Sequence, residues 1–128
     1  MKDYKNYYLI HGPAEEVYIA LTNPFTIGLW TGEEGAVMST EAGSEFSIMG
    51  DSIGGKNIEF IENKKIVQQW YFDGEPEESI VTIKLHADKT GTSVELRHTN
   101  IPDAEYTGFA EGWDNSYFGA LAEFFDGE

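Results

Sequence analysis

A chain of 128 residues, 41% hydrophobic and 14% aromatic, is long and apolar enough to bury a core. We therefore expect residues 1–128 to form a single domain. The 23 acidic and 8 basic residues give a formal net charge of −15, a field that repels nucleic acid and anionic membrane surfaces. The chain has no cysteine and three scattered histidines, so we expect neither a metal site nor a cofactor. The first residues contain no apolar signal core, which predicts a cytoplasmic protein.

The chain begins with a predicted strand followed by two short helices. Tyr4–Ile10 is rich in aromatic and β-branched residues and ends at a His-Gly-Pro sequence, which favours a strand. A helix then begins at Pro13, carries apolar residues at helical spacing and stops at Asn23-Pro24. Pro24–Trp30 is predicted to form the second, shorter helix.

The middle of the chain consists of extended runs separated by short turns. Alternation of apolar and polar residues gives these runs one apolar face and one largely solvated face. Because turns this short join antiparallel neighbours, we expect an antiparallel meander. Gly54-Gly55 is interpreted as part of a turn. The predicted strands are Ala36–Ser39, Glu45–Met49, Asn57–Ile61, Ile66–Asp73, Ser79–Ala87 and Thr92–Asn100.

The last stretch, Asp103–Phe125, is predicted to be a long helix with Asp103 as its N-cap. Gly108, Gly112 and Gly119 each cost about 1 kcal/mol relative to alanine in a helix interior. They are either tolerated at the surface or mark a bend or a close approach to the sheet or to a ligand. The large apolar residues recur at steps of three and four, at Tyr106, Phe109, Trp113, Tyr117, Leu121 and Phe124.

An aromatic helical stripe of this kind has to be buried, and the one-sided sheet supplies the surface for it. The predicted fold class is therefore α+β. It consists of a curved antiparallel sheet wrapped around a long C-terminal helix, with two short helices after the first strand. This arrangement is a helix-grip fold.

The segment from Gly43 to Phe125 resembles a known family. The matching run is GSEFSIMGDSIGGKNIEFIENKKIVQQWYFDGEPEESIVTIKLHADKTGTSVELRHTNIP, followed by EGWDNSYFGALAEFF. Landmarks are the strand that ends at Trp70, the TSVELRHTNIP strand and the Gly112-Trp113 pair. The front part, with a Pro-Ala-Glu-Glu-Val helix, is also similar. The chain thus resembles the C-terminal-domain family of the activator of heat-shock protein 90 ATPase, within the Bet v 1-like/START-related (SRPBCC) superfamily.

The resemblance implies a Bet v 1-like helix-grip fold and two kinds of partner. Eukaryotic members of the family contact a chaperone of the heat-shock protein 90 class and help to stimulate its ATPase, but they also carry a separate N-terminal domain that makes the principal contact. Other members of the superfamily bind apolar small molecules between sheet and helix, and a few are cyclases or hydratases. A chaperone or an apolar small molecule is therefore the expected partner.

A ligand cavity between the sheet and the last helix is expected to be lined by apolar residues with few polar groups. The alternative is that these side chains simply fill the core. Trp30 is expected to close the mouth of the cavity. The complete set of candidates is Trp30, Phe46, Ile48, Phe60, Trp70, Phe72, Ile83, Leu96, His98, Phe109, Trp113 and Tyr117.

His98 is the ionisable residue that strand alternation places on the inner face. A buried histidine is usually neutral and satisfied by hydrogen bonds, but one that lines a cavity can serve as an acid or base. No nucleophile elbow or phosphate-binding loop accompanies it. The family resemblance implies a non-enzymatic binding or regulatory domain, and we expect no catalytic residues. The alternatives are a cyclase-like or hydratase-like enzyme that uses His98, and a ligand-free structural homodimer that buries residues such as Tyr71 or Val67.

Overall fold

The computed structural model describes residues 1–72, 74 and 78–127, which form an antiparallel sheet covered by helices. The strands are Lys2–Ile10 (β1), Glu45–Ile48 (β2), Ile53–Ile61 (β3), Lys65–Trp70 (β4), Ser79–Asp88 (β5) and Gly91–Ile101 (β6). Within this sheet of six strands each strand pairs antiparallel with its neighbours, in the order β1-β6-β5-β4-β3-β2. The predicted α+β helix-grip fold is confirmed.

Two short helices lie between the first two strands, as predicted. The second is capped by Asn23, whose side-chain oxygen accepts a hydrogen bond from the Thr26 backbone N–H at 3.0 Å. The two helices are joined by the Trp30 indole, because its Nε1–H donates to the Ala20 carbonyl oxygen at 2.7 Å. Their bounds are Ala14–Thr22 (α1) and Pro24–Thr31 (α2).

The C-terminal helix is not the uninterrupted α-helix that was predicted. It consists of a 3₁₀ turn, two α-helices and a π-helical segment between them, at Asp103–Glu105, Tyr106–Gly112 (α3), Trp113–Tyr117 and Phe118–Asp126 (α4). In the π-helical segment the Phe118 N–H donates to the carbonyl oxygen of Trp113, five residues earlier. The extra residue in this turn brings Tyr117 and Phe118 to the buried side together. The predicted N-cap role of Asp103 is wrong, because neither the 3₁₀ turn nor α3 has a side-chain cap.

Three other predicted elements differ from the structure. Ala36–Ser39 is not a strand, since only Val37 forms a single bridge with Ser47 and the Ser39 carbonyl oxygen accepts the Asn57 side-chain N–H instead. Gly54-Gly55 is not a turn but the start of β3. A Cβ at Gly55 would lie 1.9 Å from the Gln69 oxygen, so the close approach of β3 and β4 requires glycine there. β4 ends at Trp70. The strand was predicted to end at Asp73, which lies outside the described residues.

The core lies between the inner face of the sheet and the C-terminal helix. Trp70 occupies its centre, with its ring centroid 4.7 Å from that of Trp113 and 6.3 Å from that of Phe46. Phe118 seals the β1 side of the core, because it stacks on the Tyr8 ring at 4.6 Å. The predicted assignment of one apolar and one solvated sheet face agrees with the alternating burial of β5 and β6.

Candidate functional site

A groove of about 290 Å³ opens between the C-terminal helix and the turn that joins β2 to β3. We call it the aromatic groove. This volume lies at the lower end of the roughly 300–1,000 Å³ range of small-molecule sites. It is lined by Met49, Ser52, Ile53, Trp70, Glu105, Gly108, Phe109, Gly112, Trp113, Ser116 and Tyr117.

The deep wall of the aromatic groove is a cluster of rings in mutual contact. The centroid of the Trp113 ring lies 4.7 Å from that of Trp70 and 4.6 Å from that of Tyr117. Phe109 stands edge-on to Trp70 at 6.1 Å and is only partly buried, so it forms the outer part of the wall. Aromatic pairs in these tilted and edge-to-face arrangements hold each other in place. The wall is therefore largely formed before any ligand arrives.

Two glycines on the helical side leave the space that forms the aromatic groove. Gly108 and Gly112 stand one helical turn apart, and a Cβ built on either would meet nothing within 4 Å. A larger residue at either position would place its side chain in open space beside the groove. Of the roles suggested from sequence for these glycines, close contact with the sheet is therefore excluded. Gly119 differs, because a Cβ there would lie 2.4 Å from the Asp114 carbonyl oxygen in the π-helical segment.

The opposite wall is a turn with an uncommon backbone. Met49, Gly50 and Asp51 have φ values of 55°, 64° and 67°, which places three successive residues in the left-handed region. This region disfavours the Met49 side chain, whereas aspartate is one of the residues that tolerate it. The Ser47 hydroxyl donates to the Asp51 carboxylate at 2.6 Å and helps to hold the turn. This conformation presents the Met49 side chain to the aromatic groove, and strained backbone of this kind is frequent at binding sites.

A chain of buried polar groups fixes the Trp70 ring from behind. Its indole Nε1–H donates to the Gln68 oxygen at 3.0 Å, and the Gln68 Nε2–H donates to the Asn57 oxygen at 2.9 Å. The Asn57 Nδ2–H in turn donates to the Ser44 hydroxyl at 3.1 Å. Because buried amides that are satisfied in this way resist reorientation, the orientation of Trp70 is set by the sheet and not by a ligand.

His98 lies behind the aromatic wall and does not line the groove. Its side chain is fully buried, and the Trp113 indole donates to its Nδ1 at 3.1 Å. Nε2 must then carry the proton and donate to the Ser79 hydroxyl at 2.8 Å, since that hydroxyl donates to the Thr99 carbonyl oxygen. Burial lowers the pKa of His98 to about 4, although the charge of Asp3 acts in the opposite direction. Both ring nitrogens are occupied, so His98 has no free atom for acid–base work at neutral pH.

The other candidate residues predicted from the sequence lie in the aromatic groove, around it or in the core. Trp70, Phe109, Trp113 and Tyr117 line the aromatic groove. Phe72 borders an adjoining groove, and Phe60 is half-buried on the inner sheet face. Trp30, expected at the mouth, is buried with its indole edge against Tyr117 at 5.0 Å. The remaining candidates are packed in the core, namely Phe46, Ile48, Ile83 and Leu96.

Several groove residues were not among the sequence candidates: Met49, Ser52, Ile53, Glu105, Gly108, Gly112 and Ser116. Gly108 and Gly112 could have been found from the sequence, because two residues unfavourable in a helix, one turn apart in an aromatic helix, call for a structural reason. The residues of the turn could not, because its left-handed backbone has no characteristic sequence pattern. Tyr71, a predicted dimer contact, is exposed in the single chain and its hydroxyl donates to the Glu45 carboxylate at 3.1 Å.

The adjoining groove continues the aromatic groove along the start of the C-terminal helix. The two share Ser52, Glu105 and Phe109, and the adjoining groove has a volume of about 480 Å³. Its other lining residues are Asp51, Tyr71, Phe72, Pro102 and Ala104. Among the described residues no group of three or more His, Cys, Asp or Glu side chains is arranged to hold a metal ion. Within the same part of the chain, none of the helices is both long and apolar enough to cross a bilayer.

Comparison with protein families gives a match over most of the chain. Residues 11–126 match the family described as Activator of Hsp90 ATPase homolog 1-like protein. A Dictyostelium discoideum protein named activator of 90 kDa heat shock protein ATPase homolog is 42% identical over 76 residues. That alignment covers 57% of this chain and 20% of the relative, so the matched part is about a fifth of that longer protein.

Solved structures share the fold over nearly the whole chain. An HSP90 activator from Plasmodium falciparum superposes with a TM-score of 0.83 and 24% identity, covering 99% of this chain and 97% of the other. A Mesorhizobium loti protein superposes with a TM-score of 0.84 and 23% identity, covering 98% and 97%. The Aha1 dimer from Colwellia psychrerythraea gives 0.82 and 16% identity, covering 98% and 96%. At these identities the likeness shows the fold alone.

Proposed function

Because the chain belongs to the family of Activator of Hsp90 ATPase homolog 1-like proteins, we propose that it is a non-enzymatic regulatory domain that binds a chaperone of the heat-shock protein 90 class. The observation that carries this proposal is the family match over residues 11–126. The names of the Dictyostelium and Plasmodium relatives support it. In this proposal residues 1–128 act as one domain in the cytoplasm and change the rate of the chaperone's ATPase.

Exposed apolar side chains on the two early helices offer a contact surface for such a partner. Phe25 is 76% exposed, and Leu29 and Ile19 are about half exposed. Ile27 and Trp30 on the same helix α2 are buried, so α2 is apolar on both its inner and its outer side. Exposed apolar patches of this kind mark sites of protein interaction.

The test mixes the purified chain with an Hsp90-class chaperone and measures binding by calorimetry and ATP hydrolysis by a phosphate-release assay. We expect binding together with a changed hydrolysis rate. A variant with Phe25→Ser and Leu29→Ser should bind more weakly. The matched control is Tyr7→Ser with Leu9→Ser, because those residues are also an exposed aromatic and an exposed leucine but lie on the outer face of β1.

Neither binding nor a rate change with the unmodified chain would show that the chaperone proposal is wrong. If both double variants weaken chaperone binding equally, the contact does not depend specifically on α2. Circular dichroism on each variant separates loss of binding from loss of fold, since all four substituted side chains are exposed.

A second function is favoured by the aromatic groove itself, which has the volume and the lining of a site for a small apolar molecule. The test is titration with 2-naphthylmethanol, an uncharged two-ring probe, followed by NMR of the tryptophan indole N–H signals. We expect shifts for Trp70 and Trp113, whose rings form the groove wall, and none for Trp30. Gly112→Leu should weaken binding, because Gly112 lines the groove and the larger side chain would extend into open space at its wall.

Asn115→Leu provides the control for Gly112→Leu, because it adds the same side chain to an exposed position of the C-terminal helix that does not line the groove. An unmodified chain whose tryptophan signals do not respond to the probe would rule out the small-molecule function. Equal loss of binding in both variants would show that the probe does not occupy the aromatic groove.

A further inference from the structure

The aromatic groove has a charged side as well as an apolar one. Glu105 contributes to its lining and also to that of the adjoining groove, which adds Asp51. The Glu33 carboxylate lies against the same turn, since a Cβ on Gly50 would be 2.8 Å from its Oε2 atom. Among the described residues no lysine, arginine or histidine lines either groove. A molecule in the aromatic groove therefore meets aromatic rings and the Glu105 carboxylate, with Asp51 in the adjoining groove.

The basic residues are concentrated elsewhere, on the outer face of the sheet. In the strand register Lys5 stands opposite Arg97, and Lys65 stands opposite Lys84. Like charges directly opposite each other are unfavourable in a sheet. Acidic residues on the same face offset them, because Glu59 pairs with Lys65 at 3.1 Å and Glu95 stands opposite Lys84. Lys2 lies over the Tyr106 ring at 5.1 Å and lines neither groove. These basic residues of the sheet thus lie away from both grooves.

The absence of a basic side chain from the described lining decides which ligand chemistry fits. The electron-rich faces of Trp, Tyr and Phe attract cations, and the attraction increases when the site excludes water. A carboxylate at the mouth adds to it, and the negative field of the whole molecule raises the local concentration of cations. An anionic ligand of the same shape would be repelled by the ring faces, by the carboxylate and by the negative field. No cationic side chain in the described lining offsets this repulsion.

We propose that the aromatic groove binds an apolar organic cation, with one or two aromatic rings against Trp113 and Phe109 and an ammonium group toward Glu105. This proposal rests on the second function proposed above and specifies its ligand class. A volume of about 290 Å³ suits a molecule of one or two fused rings.

The experiment compares three naphthalene probes of nearly equal shape: the cation 2-naphthylmethylammonium, the alcohol 2-naphthylmethanol and the anion 2-naphthoate. Dissociation constants are measured by calorimetry and by the indole N–H shifts. We expect the cation to bind about tenfold more tightly than the alcohol, and the anion to bind about tenfold more weakly than the alcohol. Raising the salt concentration from about 50 to 500 mM should reduce the differences in affinity between the three probes, because salt screens the Glu105 carboxylate and the negative field of the molecule.

Glu105→Gln tests the source of this preference. It should reduce the preference for the cation over the alcohol to about threefold and leave the affinity for the alcohol unchanged. Glu123→Gln is the matched control, since it removes an equal charge from an exposed position of the same C-terminal helix that lines neither groove. It should leave the preference as it is.

The outcomes separate this inference from the function beneath it. If the alcohol binds and the cation binds no more tightly, the charge preference is wrong while the small-molecule function stands. If none of the probes binds, both are wrong. If Glu123→Gln reduces the preference as much as Glu105→Gln does, the net charge of the molecule and not the groove selects the cation, which also overturns the proposal.

Discussion

The two α-helical halves of the C-terminal helix differ in how they meet the sheet. None of the α3 residues is fully buried, and the side of α3 that lines the aromatic groove carries Phe109 and the open positions Gly108 and Gly112. In α4 both Phe118 and Leu121 are fully buried, and this half packs against α2 and β1. The same element thus anchors the fold at one end and borders the groove at the other.

The π-helical segment is what allows this difference. Its extra residue changes the rotation of the helix, so that Trp113, Tyr117 and Phe118 all point into the core. Asp114 on the other side of the segment accepts hydrogen bonds from the Tyr4 and Tyr8 hydroxyls, at 2.8 and 2.6 Å. With the segment held to β1 in this way, α4 keeps its packing while α3 stands away from the sheet.

The largest expected effect compares one phenylalanine in each half. Phe118→Ala should lower the free energy of unfolding by about 3–5 kcal/mol, because it leaves a cavity in a fully buried site between Tyr8 and Trp113. Phe109→Ala should cost less than about half as much, because that ring is partly exposed beside an open groove. Urea unfolding of both variants measures the difference, and equal losses would show that the two halves are equally packed.

The second effect is a pH dependence of stability at the junction of the two helical halves, where the Trp113 indole N–H donates a hydrogen bond to His98. Since the pKa of His98 falls from 6.5 to about 4 on folding, the unfolded chain binds more protons between these pH values. The contribution of neutral, buried His98 to the free energy of unfolding is therefore fully present above about pH 6.5 and is lost as the pH falls toward 4. At 1.36 kcal/mol per pKa unit this amounts to about 3 kcal/mol.

Unfolding curves between about pH 4.5 and 7 test this effect, with the unmodified chain compared with His98→Gln. The difference in unfolding free energy between the two should shrink toward acid pH, because glutamine does not titrate. His86→Gln is the control, since His86 is half-exposed on the outer sheet face and pairs with Glu95. A constant difference between the unmodified chain and His98→Gln across this range would show that His98 is not buried in the neutral form.

The smallest effect distinguishes the glycines of the two halves. Gly108→Ala and Gly112→Ala should each stabilise the chain by about 0.5–1 kcal/mol, because alanine favours helix and its methyl group meets only open space. Gly119→Ala should destabilise it, because its Cβ would lie 2.4 Å from the Asp114 carbonyl oxygen. Thermal unfolding gives the sign in each case. Stabilisation at Gly119 would mean that the π-helical segment is absent in solution.

Much of the fold could be predicted because its signals are local. Alternation along Thr92–Asn100 placed His98 on the inner face, where it is fully buried, and helical spacing placed Trp113, Tyr117 and Leu121 toward the sheet. The burial of Phe118 was not predicted, because a 3.6-residue period does not allow for the extra residue of a π-helical turn. The candidate site was less predictable: part of its aromatic wall follows from periodicity, but the glycines and the left-handed turn of the other walls do not.

The amino-acid sequence by itself determined the sheet with one apolar face, the aromatic helix that covers it and the family resemblance, because each depends on periodicity or residue order along a continuous stretch. Only the tertiary structure decided that Trp30 and His98 are sealed in the core, that Gly108 and Gly112 border an open groove, and that Glu105 lines this groove while no basic residue of the described chain does. These features depend on distances between residues remote in the chain and on backbone angles at the Met49–Asp51 turn and the π-helical segment, which no local pattern specifies.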